Sequence, residues 1–159
     1  MRRDERGAAL VEFALTLPLL LVVIAGIVDF GFLFQRYEVV TNAAREGARI
    51  GTLPGYTEAA VRDRVRQYVQ SGLNLSTAAL DAAVVNSAAG VAVTNPTITV
   101  TPGGGAPTFT VSTVRVDIVY THQFVVLGAV MRLINASWGN SFVLRASSQM
   151  RLEPGGGAS

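Results

Sequence analysis

Cysteine and lysine are both missing from this chain, and histidine occurs once, at His122. Without cysteine there is no disulfide framework, no thiolate nucleophile and no thiolate metal site. A folded domain built this way rests on its own core or on neighbouring subunits. The missing lysine leaves all thirteen basic residues as arginine, which reads as compositional bias and not as a site. Charge is sparse as well: 15% of residues are charged, and the net is +2 over 159 positions. That balance, spread over the whole length, argues against a dedicated nucleic-acid binder. A general base needs a nucleophile and an orienting partner, and His122 has neither at a recognisable spacing. The acids lack metal-ligand spacing, and Gly103–Gly105 lacks the strand-glycine-lysine setting of a phosphate loop. No catalytic residue, metal, cofactor or small-molecule substrate is expected, and the chain does not read as an enzyme.

What the chain does contain is a long apolar run near its start. Phe13–Val28 is sixteen consecutive uncharged residues, and Ala8–Val11 and Phe30–Phe34 extend it past only two acids, Glu12 and Asp29. About 20 apolar residues span a bilayer core, so one transmembrane helix is expected over residues 8–34, with the lipid bilayer around it. An acid inside such a span is costly and usually marks a function with a partner. Pro18 removes one backbone hydrogen bond and is expected to kink or loosen the helix. Gly26 and Gly31 offer small-residue surface to another helix. Three of the arginines lie in the first six residues, a bias that retains this end in the cytoplasm and leaves the rest exported.

The helical pattern outlasts the membrane. Leu33, Tyr37, Val40, Ala44 and Ala48 recur at helical spacing, with Gln35, Glu38, Asn42, Arg45 and Arg49 on the other side. Leu33, Tyr37, Val40 and Ala44 are therefore the expected packing residues, and the exported amphipathic half, residues 35–51, needs a sheet to cover it. Gly47 and Gly51 suit the close of the helix, and Thr52-Leu53-Pro54-Gly55 ends it. A single helix from 8 to 50 is roughly 64 Å long.

Three plainer accounts compete for this segment. A secretory signal peptide cut near Ala25-Gly26 would place the mature start inside a continuous helical pattern, at a poor cleavage signal. A twin-arginine export signal fails because Asp-Glu-Arg follows Arg2-Arg3. In an ordinary single-pass anchor Glu12 sits only about 6 Å along a helix that starts at Ala8, and its carboxylate snorkels to the headgroups.

Downstream, about 108 residues follow Gly51, enough for a small core. Thr57–Gly72 reads as a second helix, capped by Thr57, with Val61, Val65, Tyr68 and Val69 on one face and Arg62, Asp63, Arg64 and Arg66 on a solvated remainder. Ser76 caps a short helix through Asp81, and Ala82–Gly90 is a small-residue stretch with no assigned element. Ile98–Thr101, Thr113–Phe124 and Phe142–Leu152 alternate as strands. In the second of these Val114, Val116, Ile118, Tyr120, His122 and Phe124 share a face, so His122 reads as structural. Val125–Ala136 is a buried loop, a short helix, or a surface facing membrane or partner. Asn74-Leu75-Ser76 and Asn135-Ala136-Ser137 match the glycosylation sequon by chance. The chain closes on a flexible tail, 154–159.

The stretch from Arg6 to Gly51 resembles the TadE-like family, minor pilin-like subunits of the Tad (tight adherence, type IV-c) pilus. The resemblance is carried by Gly7 before Ala8, Glu12-Phe13, the apolar run with Pro18, Asp29–Gly31, and Asn42-Ala43-Ala44-Arg45-Glu46-Gly47-Ala48-Arg49. Ala146–Glu153 is also similar to the way these proteins finish. The resemblance implies that a prepilin peptidase cuts after Gly7, whose bare backbone a protease can clasp closely, and that Ala8 becomes the mature N-terminus. It implies that Glu12, then the fifth residue, meets the ammonium of an adjacent pilin-like subunit. Major pilins of the system commonly carry Tyr after this Glu; Phe13 stands here, as suits a minor subunit.

The expected fold is α+β: a long N-terminal helix packed on a small antiparallel sheet with one or two accessory helices. The expected organisation is a cleaved leader 1–7, a transmembrane helix 8–34, its exported half 35–51, a globular domain 52–153 and the tail. The resemblance implies a structural role in pilus assembly, adhesion and biofilm formation at the bacterial inner membrane. Implied partners are the peptidase, other pilin-like subunits and the assembly platform. The alternative is an uncleaved, single-pass, membrane-anchored binding module.

Overall fold

The computed structural model describes residues 2–84, 89–101, 107–133 and 141–152, the side chains of 2–6 and 131–133 excepted. The loop expected at Pro102–Gly105, the second sequon, Glu153 and the 154–159 tail lie outside the described residues. Along the chain run α1 (Arg2–Gly51), α2 (Glu58–Leu73), α3 (Thr77–Ala83), β1 (Val91–Thr94), β2 (Thr97–Val100), β3 (Phe109–Gln123), α4 (Val126–Leu133) and β4 (Ser141–Arg151). The class is α+β, as expected. The chain divides into two units, one of Met1–Phe34 with Gln123–Phe142, the other of Gln35–His122 with Val143–Ser159. The segment 123–142, read from the sequence as part of a 52–153 domain, thus groups with the apolar half of α1.

In the larger unit the second half of α1 lies on a four-stranded antiparallel sheet. Val40, Ala43, Ala44, Ala48 and Ile50 are buried there, the stripe that a 3.6-residue period demands. Tyr37 is the exception to the expected set: it is 47% exposed. The buried face passes through Arg36 and Val40, four apart, and one residue onward turns the side chain about 100° away. Gly47 does not end the helix but lies within it. A Cβ at Gly47 would collide with Val65 of α2 and crowd Val116 of β3, and one at Gly51 would stand 2.8 Å from Val114 Cγ1. Gly47 lets α1 and α2 approach closely, and Gly51 does the same for α1 and β3.

Thr57 caps α2 by accepting from the Ala60 N–H at 3.2 Å, and Ser76 caps α3 through the Ala79 N–H at 3.3 Å, as side-chain oxygens at helix starts do. Asn74 ends α2 in the left-handed region, at φ 49°. Val61, Val65 and Val69 are fully buried. Arg66 departs from the solvated face expected of it: it is buried and donates to the Val84 carbonyl and to Asp81. Arg62 and Arg64 keep surface pairs, with Glu58 at 3.6 Å and Glu46 at 3.7 Å.

β3 is the spine of the sheet. Val114, Val116, Ile118, Tyr120 and His122 are all buried on one face, the period-2 alternation of a half-buried strand. β1 pairs with it through Val91↔Ile118 to Thr94↔Arg115, and β2 through Thr97↔Ser112 to Val100↔Phe109. The two share one unbroken register, so they form a single strand interrupted at Asn95-Pro96. Proline supplies no N–H to a ladder, so at this break the pairing is one-sided: Thr113 directs both its N–H and its hydroxyl to the Pro96 carbonyl, at 3.0 and 2.6 Å. β4 pairs with β3 as well, with Leu144 and Ala146 buried.

Candidate assembly site on the N-terminal helix

The first helix is long and apolar enough over Gly7–Gly51 to cross a membrane, and its apolar window is almost entirely exposed within the protein. Leu10, Phe13, Leu15, Leu19, Ile27 and Phe34 all stand out at more than half exposure. A helix apolar on nearly every side, and exposed over most of that surface, has the character of a membrane span. The helix continues without a break through Pro18.

Gly7 and Ala8 lie on this helix and are exposed, with nothing near a Cβ placed at Gly7. The backbone at the expected cleavage point is helical, so a protease that binds extended chain must unwind it; glycine lowers that cost by roughly 1 kcal/mol relative to alanine. Glu12 and Phe13 are exposed one turn further on. Their carbonyls share the Thr16 hydroxyl, which donates to each at 3.1 Å, the usual way a hydroxyl is satisfied inside an apolar helix. Among the described residues nothing bonds the Glu12 carboxylate.

The second acid of the run is treated differently. Asp29 is completely buried. Its Oδ1 accepts from the N–H groups of Val125 and Val126, at 3.1 and 3.2 Å, and its Oδ2 from the N–H of Leu127 at 2.5 Å. Those donors are the first turn of α4, whose amides have no partner within their own helix. Hydrogen bonds to a carboxylate contribute about 1.5–3 kcal/mol each, and the helix dipole favours an anion at this end. Ala25 and Leu33, one turn to either side of Asp29, are buried on the same face. Of the expected packing residues, Val40 and Ala44 belong to the larger unit, Leu33 to the smaller one and Tyr37 to neither core.

Sequence reasoning saw Asp29 only as part of a pattern. Two signals would have found its role: an acid in an apolar run, and a helix at 126–133 preceded by Phe124-Val125 where a capping side chain belongs. The position of Arg36 was missed as well. It donates to the Nδ1 of buried His122, so the lone histidine is held by a structural contact. Burial pushes the Tyr120 hydroxyl above its ordinary range, against the opposing charge of Arg36. Among the described residues no group of His, Asp and Glu could hold a metal ion.

These features define a single-pass, membrane-anchored α+β protein. Residues 7–49 match the model of the family described as TadE-like protein, so this stretch of α1 is similar to that family. No curated protein and no solved structure matches the chain.

Proposed function

We propose that the chain is a minor, pilin-like structural subunit of the Tad pilus, held in the bacterial inner membrane by α1 until it joins or primes the fibre. The observation that carries this reading is the family match over residues 7–49, which takes in Gly7, Ala8, Glu12 and Phe13. On this reading a prepilin peptidase removes residues 1–7 and the exported part begins near Gln35. The partners are other pilin-like subunits and the membrane assembly platform, and the outcome is surface adhesion and biofilm formation.

Support for the assembly role comes from the contrast between the two acids. Asp29 is fully satisfied within its own chain, whereas Glu12 is exposed on an apolar helix with its carboxylate unbonded among the described residues. A carboxylate left in lipid is expensive, and the new ammonium of Ala8 on a neighbouring subunit would neutralise it. The shallow apolar dip at Gly26 and Gly31, flanked by Ile27, Phe30 and Phe34, would let a second helix come close.

The test is complementation with Glu12→Leu and Glu12→Gln, scored for fibres beside an immunoblot for mature protein in the membrane. Both variants should be cleaved and inserted while fibres and adhesion are lost, because removing one partner strands the other charge. Normal fibres from both would overturn the assembly role and favour the uncleaved, anchored binding module.

A further inference from the structure

We propose that α4 is an interfacial helix, seated among the lipid headgroups and upper acyl chains at the far end of the membrane span and held there by Asp29. The proposal rests on the reading of α1 as a membrane anchor. Asp29 lies 21 residues beyond Ala8, about 32 Å along a helix, and a hydrocarbon core is about 30 Å thick. The carboxylate therefore stands where the core gives way to headgroups, and three hydrogen bonds tie the first turn of α4 to that level.

What surrounds α1 at this height also surrounds α4. Ile27, Phe30 and Phe34 are exposed on the helix turns around Asp29, and Val125 on the approach to α4 is 56% exposed. Ala129 is exposed too, and Leu127 and Val130 are half-buried. The sequence of α4, VLGAVMRL, is apolar with one arginine towards its end. Eight residues extend about 12 Å, too short to cross a bilayer and long enough to lie in its surface. A helix entering lipid must not leave its first amides unpaired. Asp29 removes that obstacle, and it does so from the spanning helix itself. The occupant of the exposed face of α4 is thus the lipid of the leaflet that ends the span.

The chain has no cysteine, so single thiols can report on this directly. Full-length protein carrying Val125→Cys or Ala129→Cys, labelled with the fluorophore NBD, is reconstituted in phosphatidylcholine vesicles; Leu20→Cys serves as the reference for the span. Nitroxide on the upper acyl chain should quench the probes at 125 and 129, and aqueous iodide should not. Adding Asp29→Leu should abolish the lipid quenching at Val125→Cys and open that probe to iodide. Probes at 125 and 129 reached by iodide alone, with the probe at 20 still lipid-quenched, would overturn the proposal while leaving the anchor intact. Shielding from both quenchers would also overturn it, since a protein surface such as a second copy would then cover α4. Lipid quenching at 125 that survives Asp29→Leu would overturn the role given to the carboxylate. Iodide reaching the probe at 20 would remove the anchor and the proposal with it.

Discussion

At Asp29 three backbone donors meet one fully buried carboxylate. Asp29→Leu leaves those donors unpaired, at about 1–3 kcal/mol each. The amides of Val125, Val126 and Leu127 should then exchange with solvent about 100-fold faster in detergent micelles, the factor corresponding to roughly 3 kcal/mol of lost local stability. Exchange at the wild-type rate would contradict the capping role. Glu46 supplies a second residue-scale test. It accepts from Arg49 at 2.9 and 3.1 Å, and this hydrogen bond, with the charges of Arg49 and Arg64, holds its carboxyl below the ordinary range. A depressed folded-state pKa contributes stability above the unfolded value, near 4.3, and loses it as pH falls through the folded value. Asp117, held down by Arg115 and Ser147 against the opposing effect of burial, acts with the same sign. The thermal midpoint should fall as pH drops below about 4.3, and less steeply in Glu46→Gln. Identical slopes would remove Glu46 from the account.

Elements were legible where one periodicity ran long and a cap marked its start. Thr57 and Ser76 stand at the observed starts of α2 and α3, and the alternation from Val114 to His122 is the buried face of β3. β1 was not read, because four residues after a small-residue stretch carry too little pattern, and only the register with β3 reveals them. β3 itself begins at Phe109 and not at Thr113, since residues 109–112 pair with β2 where neither face is buried. A pattern argument sees burial and not pairing. In α1 the period was right but its phase slipped by one residue at Tyr37, because an arginine occupies the inner position and bonds to His122. That correction is measurable in the full chain. Val40→Ala should cost about 2 kcal/mol from lost burial and a residual cavity, and Tyr37→Ala under about 1 kcal/mol, as surface changes do. Equal losses from the two, read from thermal midpoints in micelles, would return Tyr37 to the buried stripe.

For the molecule as a whole, the two acids of the apolar run divide the work. Asp29 is satisfied within the chain by the first turn of α4, while the proposed function pairs Glu12 with a neighbouring subunit. The likeness to the TadE-like family was readable from the N-terminal block, where glycine, acid and apolar run fall in sequence. The Asp29 contacts were not, because they join positions 29 and 125–127, almost a hundred residues apart, and no local pattern records that. The account stands on a mature helix that begins at Ala8, since only then is Glu12 the fifth residue of a chain that starts with a free ammonium. The most direct measurement is the intact mass of the protein recovered from host membranes that contain the matching prepilin peptidase. The account predicts a chain starting at Ala8, without the three leader arginines, and an uncut precursor for Gly7→Leu. A chain still beginning at Met1, or one starting near Gly26, would contradict it.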